Sequence, residues 1–258
     1  MVKFSGLVLF ILALALPSLA SAHFGAIIPS RAMVMDKKEA ALKIEVGFIH
    51  PFARQGMDMI KPEKLFVRHD GKDEELTEAL SEMKFFGERA WQTDYAVKTP
   101  GVYTFASIPK PYYEAAEDSF IIHYAKTTVA AFGEEDGWDE PLGLPIEIIP
   151  LTRPFGNYAG NVFAGKALYN GKPLPNASVE VENLNRDGLR EAPNAYFETQ
   201  TVKTDSNGVF VYGVPWPGWW GFAVLAEGPD KIERDGELKS VELGGIIWVQ
   251  FAEPLTKK

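Results

Sequence analysis

Very few side chains in this chain of 258 residues are equipped for chemistry. It has four histidines, His23, His50, His69 and His123, and no cysteine. Disulfides, thiolate metal sites and cysteine nucleophiles are therefore excluded. The most informative position is His23, which follows Ala20-Ser21-Ala22, a small-x-small pattern of the kind cut by signal peptidase. Cleavage after Ala22 makes His23 the first residue, with a free α-amine and an imidazole placed to close one chelate ring on a metal ion. No internal histidine can do that. The amine has a reference pKa of about 8 against about 10.4 for lysine, so a metal displaces its proton at lower cost near neutral pH.

The leader has the expected order of segments. Lys3 supplies positive charge, residues 7–16 form an apolar run, and Pro17-Ser18 interrupts it before the cleavage site. That run is shorter than the roughly 20 residues a membrane span needs. Nothing later in the chain reads as a span, so the mature protein is expected to be exported, soluble and periplasmic. The net charge of -9 and pI near 5.1 argue against nucleic acid or anionic lipid as a partner.

Each of the other histidines has to be positioned by an element. In residues 41–50, Leu42, Ile44, Val46 and Phe48 alternate with Lys43 and Glu45, the period of a half-buried strand. His50 continues the apolar parity where Pro51 stops the strand, so it is expected at a sheet end, facing inward. His123 sits in "FIIHYAK", a strand with apolar residues at both parities. His69 precedes Asp70-Gly71 at a charged turn and is expected to be solvated. Glu114, Glu117 and Asp118 are candidates to hold the second nitrogen of a ligand histidine, as carboxylates near metal sites often do. Met57, Asp58 and Met59 follow His50 and form either a rim or ordinary loop packing.

Other chemistry is not signalled. The chain has no Gly-x-Ser-x-Gly elbow, phosphate loop or His-Glu-x-x-His. Trp216, Trp219 and Trp220 could stack on sugars, although core and edge packing is the commoner use of such a cluster. No catalytic residue is expected, and the chain is not read as an enzyme.

Further strands are expected at 65–69, 91–97, 102–108, 119–126 and 144–149, with 74–83 either a helix or a charged loop. The chain divides into a signal peptide (1–22), an N-terminal immunoglobulin-like β-sandwich (23–154) and a second β-sandwich (155–258), an all-β fold. In the last part, "GKALYNGKPLPNASVEVEN" and "TDSNGVFVYGVPWPGWWGFAV" resemble a transthyretin-like or carboxypeptidase-regulatory-like sandwich over residues 160–224, a likeness nearly silent on function.

Over nearly the whole mature chain, "AHFGAIIPS", "HPFARQGMDMIKPEKLFV", "FIIHYAKTTVAAFGEEDGWDEPLGLPIEIIPLTRPF" and "YAGNVFAGKALYNGKPLPNASVEVEN" resemble the periplasmic component of nickel and cobalt uptake systems of the energy-coupling-factor type. The resemblance implies capture of Ni(II) or Co(II) and presentation to a membrane permease. Carried over by motif, it implies His23, His50 and His123 as metal ligands. Two other classes compete: an exported copper enzyme acting on polysaccharide through an N-terminal histidine brace, and a carbohydrate-binding or adhesion protein in which the histidines are incidental.

Overall fold

The computed structural model describes residues 22–255, whose regular secondary structure is β-strand apart from three short 3-10 turns. The expected leader, residues 1–21, lies outside the described residues.

Two sandwiches share one long sheet. A five-stranded sheet runs Phe24–Pro29, Ala41–His50, Glu88–Ala96 and Ser81–Phe85, with Gln55–Met57 paired onto the end of Ala41–His50. A four-stranded sheet in the second half is built on Ile146–Pro150, Val162–Tyr169 and Val209–Gly213, with the short Lys172–Pro173 at its edge. Both lean on an eleven-stranded sheet whose centre is the parallel pair Ser119–Ala131 and Val241–Ala252, in register from Phe120↔Val241 to Thr127↔Trp248. The two halves are thus hydrogen-bonded into one sheet. Each smaller sheet closes a hydrophobic core, as a sheet with one apolar face must.

Those cores follow from strand parity. In Ala41–His50, Leu42 and Ile44 are buried while Ala41 and Lys43 are exposed, and from Val46 onward every residue is buried. Covering by the Gln55–Met57 strand and the opposite sheet accounts for that change. The first core contains Phe24, Ile27, Leu42 and Phe105, and reaches across the shared sheet to Ala223, Ile246 and Trp248. The second, around Phe163, Phe210 and Phe222, draws Phe120, Ile146 and Ile148 from the first half.

Several boundaries differ from expectation. Residues 74–83 form neither one helix nor a loop: a 3-10 turn at Thr77–Ala79 separates the strands Lys72–Glu75 and Ser81–Phe85. The strand from Ser119 continues to Ala131, because Thr127, Thr128 and Val129 are β-branched and lie buried against Gly101–Ile108 and Val241–Ala252. His69 is not solvated. Its ring stacks on Tyr103 at 3.9 Å between centroids, and its nitrogens meet the Val102 carbonyl and the Thr99 hydroxyl.

One charged pair is buried where the halves join. Lys126 donates to Glu147 at 2.8 Å, and both side chains are 3% exposed. Glu147 also accepts the Leu142 and Gly143 amides. Such satisfaction is what permits two charges to leave water.

Candidate functional site

Register brings the first two histidines together. The Phe24–Pro29 and Ala41–His50 strands are antiparallel, with Pro29↔Ile44 through to Phe24↔Ile49 opposed. One step further along the same ladder sets His23 opposite His50, and directly opposed residues share a face of the sheet. Their ring centroids are 4.5 Å apart. His50 is buried at the strand end, facing inward, as its parity predicts.

Ala22 lies inside this arrangement. It is 4% exposed, and its carbonyl oxygen accepts a hydrogen bond from His50 Nδ1 at 2.8 Å. The peptide bond joining Ala22 to His23 is therefore buried against the His50 ring.

Each of the two flanking histidines has one nitrogen held by a carboxylate. His23 Nε2 lies 3.0 Å from Glu114, and His123 Nε2 lies 3.2 Å from Glu242. If these Nε2 atoms carry the proton, both Nδ1 atoms are left as acceptors, the form in which they could ligate a metal ion. His123 Nδ1 is buried and has no hydrogen-bond partner among the described residues. Glu114 is one of the three carboxylates the sequence nominates for this role; Glu242 has no signal in the sequence near His123, since parallel pairing delivers it from 119 residues away.

Small residues make room for the His123 ring. A Cβ on Gly25 would stand 2.9 Å from the His123 carbonyl, and one on Gly244 would stand 2.4 Å from the ring itself. Phe48, on the same strand as His50, contacts both outer rings, with its centroid 5.6 Å from His23 and 5.6 Å from His123. The structure thus brings His23 and His50 into contact and links His123 to them through Phe48. Among the described residues, no three histidine or carboxylate groups are already arranged to hold a metal ion. In this chain the His23 nitrogen is still an amide.

Burial decides the charge of the pair. The His23 ring is lowered to about 4, first by desolvation and then by the nearby His50 and His123, against the opposing pull of Glu114. Burial also lowers His50, against the Ala22 carbonyl and Glu114. Burial raises Glu114, but the Ala116 amide and the His23 ring outweigh it and leave the carboxyl below its usual value. Both rings are consequently neutral near pH 7.

The turn after His50 is gripped from the second half of the chain. The Phe52 amide donates to Glu182 at 3.0 Å, and Asn185 donates its side-chain amide to the Phe52 carbonyl and its backbone amide to Pro51. The tryptophans are packing residues: Trp220 is buried in the second core, and Trp216 and Trp219 are half-buried against the cores.

A family model described as a domain of unknown function, DUF4198, matches residues 20–228. The chain belongs to the DUF4198 family. The match includes the His23, His50 and His123 strands and most of the second sandwich. No curated protein matches this DUF4198 chain in sequence. Among solved structures it is similar to the D0-D1 domain of intimin, at 12% identity and a TM-score of 0.23, covering 88% of this chain and 99% of that one. It is also similar to fibronectin(III)-like modules of Clostridium thermocellum CbhA, at 8% identity and a TM-score of 0.21, covering 90% and 100%. Likenesses this distant carry no argument about what a DUF4198 protein does.

Proposed function

We propose that the mature protein is a periplasmic carrier that captures Ni(II) or Co(II) through His23, His50 and His123 and hands the ion to a membrane permease. The observation that carries this reading is the buried Ala22 carbonyl, 2.8 Å from His50 Nδ1. Cleavage after Ala22 removes that carbonyl and leaves a free amine on the same His23 nitrogen, beside the His50 ring. The amine and Nδ1 of His23 then form one chelate, His50 supplies a further nitrogen, and the open Nδ1 of His123 a third ring. An all-nitrogen set of this kind suits late divalent ions.

Glu114 and Glu242 act on the ligands, not on the ion. Each fixes which ring nitrogen carries the proton and adds negative charge that offsets a bound cation. Capture and release are favoured over turnover because the carboxylates beside the histidines, Glu114 and Glu242, are each already engaged by a ring nitrogen. Trp220 packs inside the second core and Trp216 and Trp219 pack half-buried against the cores, which favours a packing role over stacking on a polysaccharide.

Two measurements on the exported protein test the reading. Intact mass should give His23 as the first residue, and calorimetry should give micromolar or tighter binding of Ni(II) or Co(II), weakened at least tenfold by His50→Ala. A different first residue, or binding that His50→Ala leaves unchanged, would overturn it.

A further inference from the structure

A cavity of about 270 Å³ opens between the two sheets of the first sandwich, and of the proposed metal ligands only His123 lines it. Its walls are chiefly apolar. The Ala41–His50 strand contributes Phe48 and the Ser119–Ala131 strand contributes Phe120 and Ile121, with Met59 adding a fourth buried apolar side chain. Two tilted ring pairs frame the space: Phe48 with Tyr112 at 4.9 Å between centroids, and Tyr113 with Phe120 at 5.3 Å. A further flat ring can meet such walls edge to face or offset, the arrangements that aromatic pairs prefer. An apolar cavity of about 150 Å³ already admits benzene, so this one has room for a bicyclic ring.

Ile60, Lys110 and Arg234 are lining residues exposed to solvent, and so mark the mouth. Two of the three are cations. Lys110 forms no ion pair among the described residues. Arg234 lies 3.9 Å from the Tyr113 ring centroid, and its ion pair among the described residues is with its exposed neighbour Asp235 at 3.4 Å. Surface pairs of that kind hold a side chain only weakly. Asp58, the carboxylate of the lining, is engaged by Arg89 at 2.9 Å. The mouth is therefore electropositive on a chain whose net charge is -9.

We infer that this cavity is a binding site, separate from the histidine chelate, for a small aromatic carboxylate whose ring enters between Phe48, Tyr112 and Phe120 while its carboxylate stays at the mouth with Lys110 and Arg234. Removing the ring from water supplies most of the affinity. The two cations select the acid over the same ring without a charge, by about fivefold for two solvent-exposed ion pairs. The site needs no metal ion, so it goes beyond the proposed carrier function and can be tested without it.

The test titrates metal-free mature protein by calorimetry with three probes: indole-3-acetate, indole and acetate. Indole-3-acetate should bind in the sub-millimolar range and about fivefold more tightly than indole, an advantage that shrinks as salt screens the mouth. Acetate, which has the charge without the ring, should show no binding. Nuclear Overhauser contacts from the bound indole protons should reach Phe120 and Ile121. Lys110→Met combined with Arg234→Met changes only exposed positions; that variant should bind indole like the parent and bind indole-3-acetate no more tightly than indole. Equal affinity of the parent for indole-3-acetate and indole would overturn the selection of a carboxylate. Binding of neither ring compound, or contacts to residues outside the cavity, would overturn the site itself, and none of these results bears on nickel binding by the histidines.

Discussion

At the residue scale, the account turns on which nitrogen of each histidine is occupied. Glu114 holds His23 Nε2 at 3.0 Å and so directs Nδ1 toward the side of the ring from which it can chelate with the α-amine. Glu114→Gln keeps a hydrogen-bond acceptor but removes the charge, and loss of such a carboxylate typically weakens metal binding about 10–100-fold. Nickel calorimetry on that variant should fall in this range; unchanged affinity would show that Glu114 does not orient a ligand. Much at this scale is legible in the sequence. His50 is readable because alternation from Leu42 to Phe48 fixes its face and Pro51 fixes its place at the strand end. His69 is misread as solvated, because its stacking on Tyr103 is a contact between strands and not a property of the charged turn beside it.

At the element scale, the Ser178–Asn183 strand carries the buried carboxyl that caps the turn after His50. Burial raises Glu182 to about 8, although the Thr199 hydroxyl and the Phe52 amide pull it down. The folded carboxyl therefore keeps a proton that the unfolded chain gives up, and stability is lost as pH rises from about 4.5 to about 8. The slope from one such group is roughly 1.4 kcal/mol per pH unit within that window. Thermal melts of metal-free protein should show stability declining over this interval, with Glu182→Gln flattening the decline. Glu180, raised by burial to about 7, adds a part that remains in the variant. An unchanged slope in the variant would mean that Glu182 is ionised in the folded state. Sequence periodicity marks the strand itself but not this role, because the partners Phe52 and Glu182 are separated by 130 residues.

At the scale of the whole molecule, the parallel ladder between Ser119–Ala131 and Val241–Ala252 ties the halves together. No local pattern announces it, since both strands are largely apolar at both parities and neither names its neighbour. The same ladder places Glu242 at His123 and Trp248 in the first core. A fragment of residues 23–154 would lack both and would bare one edge of the His123 strand, so it should fail to show the cooperative melt of the full chain. A sharp transition for the fragment would contradict this. The Lys126 and Glu147 pair makes the same point energetically. Lys126→Met leaves a buried carboxylate without its cation and should cost about 3–5 kcal/mol in chemical denaturation, whereas a loss below about 1 kcal/mol, the value typical of surface pairs, would mean that the pair is effectively solvated.

The most direct test of the central claim compares nickel binding by protein beginning at His23 with protein that retains Ala22 ahead of it. The two differ by one residue, and in the longer form the His23 nitrogen is again an amide with the Ala22 carbonyl on His50. At least a hundredfold weaker binding by the longer form is the predicted result. Equal affinity for the two would contradict a metal site built on the first amine.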